Sequence, residues 1–300
     1  MFLAADLTVV GLRALTFVAL FLAAGTWIFV ALWERDLAPE QGERIRNVAR
    51  AAAVVALIVT VATYVLTPAY MAGSFGSTFD PSLEALLLQS SSGPANIARV
   101  VGLALLTLSL DRATKLNTIG AGIGAALALA SFAFGGHTSI HPLWFVLAPL
   151  LLVHLAAAAF WFGALWPLYM AVGEGPPRRS GVLLDQFTRL AIRIVPLVFA
   201  AGFGMSVVFV RSFADLATPY GAMLIVKTLG FGACIALAGV NKAAVGAGDE
   251  RATRSFRRTV AAEWALLVVI LVTTAVMTSL YAPEHLEGAF GAGHSTGTTH

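Results

Sequence analysis

From Leu143 to Val172 the chain runs for thirty residues without an Asp, Glu, Lys or Arg. About 20 consecutive apolar residues in a helix cross the hydrocarbon core of a bilayer. A soluble helix needs a polar face, and this run has none to offer. The stretch therefore sets the class of the whole chain as helices in lipid. His154 lies inside it, and Trp161 follows seven residues later, which puts both side chains on one helix face. An ionisable group in mid-bilayer is costly and faces a protein interior or a wet cavity. Two readings of His154 stand: a packed core histidine with a backbone partner, or a ligand or proton-handling site.

The rest of the chain agrees with that class. Charged residues make up 12% of it, against about 25% in a soluble domain. The expected fold is an all-α polytopic membrane protein. The net charge of +3 comes from loop arginines, and no pattern of a nucleic-acid-binding domain is present. The single cysteine, Cys234, excludes an intramolecular disulfide framework and a CxxC motif. No basic segment precedes the first apolar run, so no cleavable signal is expected.

Eight spans are expected, near Gly11–Trp33, Val48–Tyr70, Pro94–Leu110, Thr118–Phe134, Leu143–Val172, Leu190–Arg211, Tyr220–Val240 and Val260–Tyr281. The third is the weakest, because Arg99 interrupts it. The stretch Pro81–Gln89 reads as a short interfacial helix with Leu83, Leu86 and Leu87 on one face. Arg35, Arg44, Arg46 and Arg50 follow the first span. Later odd-numbered loops carry Arg112 and Lys115, then Arg178, Arg179, Arg189 and Arg193, then Lys242, Arg251, Arg254, Arg257 and Arg258. Alternate loops hold almost no cations. The positive-inside rule then places the basic loops in the cytoplasm and both termini outside.

The sequence also repeats. Gly93 and Arg99 match Gly221 and Lys227; Arg46 and Arg50 match Arg189 and Arg193; Pro142 matches Pro283; Gly25 matches Gly163. The offsets run from 128 to 143 residues. Four spans duplicated give two parallel repeats, related by an axis along the membrane normal. The expected domains are residues 1–142, residues 143–283 and a disordered His-containing tail at 284–300. His154, His137 and Glu263 align with Thr16, Thr278 and Gly122, so these groups occur in one half only. That points to one functional site rather than two.

Five of the six histidines fall on the outer side or in the outer tail: His137, His141, His285, His294 and His300. His137 and His141 are spaced i, i+4, which suits a shared metal in a helix and means little in a loop. Met71, Met205, Met223 and Met277 fall in or near the outer half of the bilayer. Thioethers and imidazoles suit copper, Cu(I) above all, while methionine is also an ordinary core filler. Cys234 lies deeper, and a lone buried cysteine is commonly inert packing. Arg99 and Lys227 are intramembrane cations, which either snorkel to the interface or meet an anionic partner. Glu263 and Asn241 lie at a similar depth, where they can form a polar lock at the inner face.

The segment His154 to Gly163, with Trp161, resembles the fifth-span motif of the copper-resistance protein D family. So do Pro219-Tyr220-Gly221 with Lys227, then Asn241-Lys242, Glu263 early in the last span, Pro283 closing it, and the Gly136-His137 pair. The resemblance covers spans 4 to 8 well and spans 1 to 3 loosely. It implies copper movement across a bacterial inner membrane, inward, with a separate periplasmic copper-binding partner. No nucleotide-binding loop is present, which argues against primary pumping. The second reading is a membrane redox protein holding haem between helices, with Arg99 and Lys227 toward the propionates. His137 would then join His154 as axial ligand, although Pro142 to His154 spans about 18 Å of helix. No hydrolase motif appears, and the chain is not expected to be an enzyme. A homo-oligomer is compatible with all of this.

Overall fold

The computed structural model describes residues 2–111, 114–135, 141–174, 177–210, 212–245 and 250–281. Among these the chain is all helix: α1 (Phe2–Trp33), α2 (Pro39–Ala72), α3 (Pro81–Gln89), α4 (Ser92–Ser109), α5 (Lys115–Ala130), α6 (Trp144–Glu174), α7 (Pro177–Phe209), α8 (Pro219–Val245) and α9 (Glu250–Leu280), with short 3-10 turns between some of them.

Local chemistry sets many of the ends. Pro39 opens α2 at a position where its missing N–H costs nothing, and Gly73 closes it with φ at +65°, a left-handed conformation that favours glycine. Asp80 caps α3 by accepting from the Ser82 hydroxyl at 2.5 Å and from the N–H groups of Ser82 and Leu83 at 2.9 and 3.4 Å. These bonds hold the Asp80 carboxyl below the usual carboxylate range. The cap is therefore present at neutral pH and is lost as pH falls through that lowered value. The short interfacial helix expected at Pro81–Gln89 has those bounds.

Seven helices among the described residues are long and apolar enough to cross a membrane: α1, α2 and α5 to α9. The third expected span is α4, which has 18 residues, includes Asn96 and Arg99, and does not join the seven. The finding is a polytopic helical membrane protein, without a count of eight.

Helix α1 is the centre. It packs on α2, α5, α6 and α9. Within the spans, 56% of α1 is buried inside the protein and only 6% of α8, so α8 lies at the rim. One apolar core gathers around α1, α2, α4 and α5, and the other around the end of α1 with α6 to α9. The two meet where α1 crosses α6. There a Cβ on Gly25 would stand 1.7 Å from the Ala159 carbonyl oxygen, and one on Gly163 would stand 2.4 Å from the Gly25 carbonyl carbon. Only glycine allows this approach, and Thr26 Oγ1 fastens it by donating to the Gly163 carbonyl at 3.0 Å. Gly93 and Gly221 share another feature: each opens its helix packed on the backbone of the preceding turn, against Leu88 and against Asp215 and Leu216.

Candidate functional site

The polar groups of the second half line α6 and the helices beside it. His154 is ten residues into α6, about 15 Å from its start at the helical rise. Its Nδ1 lies 2.9 Å from the Val198 carbonyl oxygen of α7. A carbonyl only accepts, so Nδ1 carries the proton and donates it. The ring is backed by Gly202, where a Cβ would come within 3.1 Å of Cε1. A histidine held this way keeps the Nε2 lone pair for a ligand, and backbone bonding of the other nitrogen is the usual support of a metal-binding imidazole. The backbone partner of the first reading is present, and it is compatible with the second, since it leaves Nε2 as the acceptor nitrogen.

Trp161 shares that face of α6 and meets a different partner. Its Nε1 donates to Glu263 Oε1 of α9 at 2.6 Å, and Asn241 Nδ2 of α8 donates to Glu263 Oε2 at 3.2 Å. The Thr259 hydroxyl bonds Asn241 Oδ1, which turns the amide so that its N–H faces the carboxylate. Phe231 packs edge-on against the Trp161 ring and stacks on Phe199 of α7. The expected lock between Glu263 and Asn241 is present, with Trp161 as its third member.

The outer residues are less united. His141 is buried, and its Nδ1 accepts the Leu143 N–H at 3.1 Å, with Phe209 edge-on to the ring. That nitrogen is committed to the turn that starts α6. Met205, Met223 and Met277 each stand within about 6 Å of a helix end on one face of the bundle, at ~1.5 Å per residue. Met277 is buried and Met71 exposed. His137 and the tail residues His285, His294 and His300 lie outside the described residues. Among the described residues, no three His, Cys, Asp or Glu gather closely enough to hold a metal ion. Cys234 is free and buried in the second core.

The two intramembrane cations differ. Arg99 Nε donates to Ser131 Oγ at 2.9 Å, Ser131 donates to the Ala128 carbonyl at 2.6 Å, and the guanidinium lies 4.2 Å over Phe132. Lys227 is half-buried within electrostatic reach of His154, and it meets no hydrogen-bond or ion-pair partner among the described residues. An anchoring contact exists for the arginine and not for its repeat counterpart. Arg99→Met is therefore expected to lower thermal stability by about 1.5–3 kcal/mol, the range for a hydrogen bond to a charged group. Lys227→Met is expected to change it little. Thermal unfolding of the two purified variants compares them, and equal losses would refute the distinction.

Two contacts were not read from the sequence. Arg13 of α1 donates to the Thr278 carbonyl of α9 at 2.6 Å, and Arg257 lies 4.2 Å over the Tyr169 ring. A third cation inside an apolar run was the signal for Arg13; nothing in the sequence pairs Arg257 with Tyr169.

Comparison with known proteins adds to this geometry. Residues 4–145 match the family described as "Copper resistance protein D-like, N-terminal domain", and residues 181–277 match "Copper resistance protein D". The chain is 26% identical over 285 residues to "Copper transport protein CutJ" of Bacillus subtilis (strain 168), covering 90% of this chain and 52% of that protein. The chain thus spans about half the length of the curated relative it matches. No solved structure matches it.

Proposed function

The chain belongs to the copper resistance protein D family, and we propose on that premise that it carries copper ions across the bacterial inner membrane, from periplasm to cytoplasm. The observation that carries the reading is His154. Its Nδ1–H is fixed on the Val198 carbonyl, so Nε2 is an oriented, uncharged donor about 15 Å inside the bundle. Lipid offers copper no substitute at that depth, and a neutral imidazole is a competent copper ligand.

The rest of the path follows the chemistry. Met205, Met223 and Met277 at the face opposite the basic loops offer thioethers to Cu(I), the softer oxidation state. Copper is the substrate here, passed from the rim to His154. A separate copper-binding protein on that face would deliver it. The segregation of cations supports basic loops in the cytoplasm and termini in the periplasm. The two-repeat reading, with α4 as an eighth span, is supported by Gly25 and Gly163. Residues related by an axis along the membrane normal meet each other where the axis passes, and these two do.

Cells with the protein, at defined external copper, are expected to accumulate more copper than cells without it. Equal accumulation, or lower accumulation with the protein, would overturn import. The purified protein tests the haem alternative. A Soret band that survives extraction would put electron transfer first.

A further inference from the structure

Glu263 is the one buried carboxylate among the described residues, 2% exposed, and the copper path above makes no use of it. It sits thirteen residues into α9, about 20 Å from either the start of the helix or, by a further turn, its end. Both of its oxygens are engaged, and both partners are neutral donors: an indole N–H, which can only donate, and an amide N–H held in its orientation by Thr259. Among the described residues the anion is thus held by neutral donors alone. Removing a carboxylate from water costs several kcal/mol even after relaxation, and two neutral donors offset only part of that.

Among the described residues no cation bonds it; the side chains of Lys242, next to Asn241 in sequence, and of Arg251 lie outside them. On α9 itself, Arg257 is six residues away, about 9 Å along the axis, and lies over Tyr169 of α6; Arg254 and Arg258 are farther toward the helix start or around it. On α8 the titratable neighbour is Cys234, a thiol within electrostatic reach, while Lys227 stands fourteen residues from Asn241, about 21 Å along the axis toward the other face. On α6 the facing group is Trp161, which does not titrate. On α1, Arg13 is spent at the opposite end of α9 on the Thr278 carbonyl. The first half of the chain shows that the scaffold does not need the acid. At the matching offset stands Gly122, where a Cβ would come within 2.8 Å of the Trp27 ring, so an indole fills the place.

We propose that Glu263 is a proton-binding site, and that its proton is exchanged with the passage of copper. This rests on the copper reading for its second half only. In the anionic state the carboxylate ties α6, α8 and α9 together through two charge-assisted hydrogen bonds. When a proton adds to one oxygen, that oxygen becomes a hydroxyl and a donor. It still has a lone pair, but both bonds, from Asn241 Nδ2 and Trp161 Nε1, lose their charge assistance, and the one to the protonated oxygen weakens most. The bond count changes by one O–H formed, with no other reactant. The tie between the three helices loosens at the depth that copper must cross after His154.

The test uses the full-length purified protein. An infrared pH titration in detergent, with no copper present, is expected to show a protonated-carboxyl C=O band in the parent that is missing from Glu263→Gln. Trp161→Phe removes one donor to the anion, so the same band should appear at higher pH in that variant. Identical titrations of all three proteins would overturn the site. Proteoliposomes loaded with Cu(I) chelator then test the coupling. An imposed pH difference should change the parent's copper influx several-fold and leave the influx of Glu263→Gln unchanged. A variant influx that still follows the pH difference overturns the coupling. If the parent admits no copper while its carboxyl band titrates, the copper reading fails and takes the coupling with it, and the proton site stands.

Discussion

His154→Ala is expected to reduce copper accumulation by about tenfold or more, to near the level of cells lacking the protein, at matched expression. The estimate follows from second-sphere changes at metal sites, which alone cost about 10–100-fold, so loss of the ligand itself costs at least as much. The surroundings offer no replacement. Among the described residues no cluster of His, Cys, Asp or Glu lies ready to take the ion. Two companions separate ligation from folding. Gly202→Ala places a methyl 3.1 Å from the His154 ring, so the ring must shift by a few tenths of an ångström. Accumulation should fall partway, with the imidazole still present. His141→Ala removes an acceptor from the Leu143 N–H, a change worth about 1 kcal/mol of turn stability, and should leave accumulation near the parent's. Parental accumulation in His154→Ala would remove the histidine from the path.

Gly25→Ala is expected to prevent folding of the bundle, with a destabilisation above about 3 kcal/mol, beyond the common range for overpacking. The added methyl would lie 1.7 Å from a backbone carbonyl oxygen and 2.9 Å from the Gly163 Cα. Neither is the end of a flexible side chain, so α1 and α6 must part along their length. That separation also breaks the buried bond from Thr26 to Gly163. Gly11→Ala on the same helix is the control. A Cβ there meets nothing within 4 Å, and the better helix propensity of alanine makes the change neutral or mildly stabilising. Monodispersity in detergent and thermal unfolding of both variants decide the matter. A Gly25→Ala protein as stable as Gly11→Ala would mean that the helices do not approach this closely.

Much of the architecture was legible because lipid is a demanding solvent. Apolar runs place α1, α2 and α5 to α9, and the interfacial helix at Pro81–Gln89 follows from its own leucine spacing and the proline that opens it. The pairing of Glu263 with Asn241 was legible from depth alone, since both are polar and lie at one level. Trp161 was placed on the right face of α6, but its bond to Glu263 joins residues 102 positions apart. Helices that are apolar all round carry no stripe to say which neighbour they face, so such partners depend on tertiary packing. The same limit applies to Lys227. Its repeat relation to Arg99 puts a cation at the same place in each half, but the contact of Arg99 requires Ser131 and Phe132 on a neighbouring segment, and Lys227 meets no such hydroxyl among the described residues. The pattern at α4 was weak for a physical reason. Asn96 and Arg99 interrupt its apolar run, and both come within its first two turns.

The crossing of α1 and α6 also bears on how the bundle can move. Most helix pairs interlock, because side chains of one sit between those of the other, and turning such a pair means lifting every tooth out of its gap. At Gly25 and Gly163 there are no teeth. Two bare stretches of main chain touch there, tied by the hydroxyl bond from Thr26, while side chains such as Trp33 and Phe160 interlock farther along. The contact works as a pin. At that point a small rotation of α1 against α6 displaces no side chain, while the distance between the axes is fixed by backbone against backbone. At this crossing, turning is thus cheaper than parting.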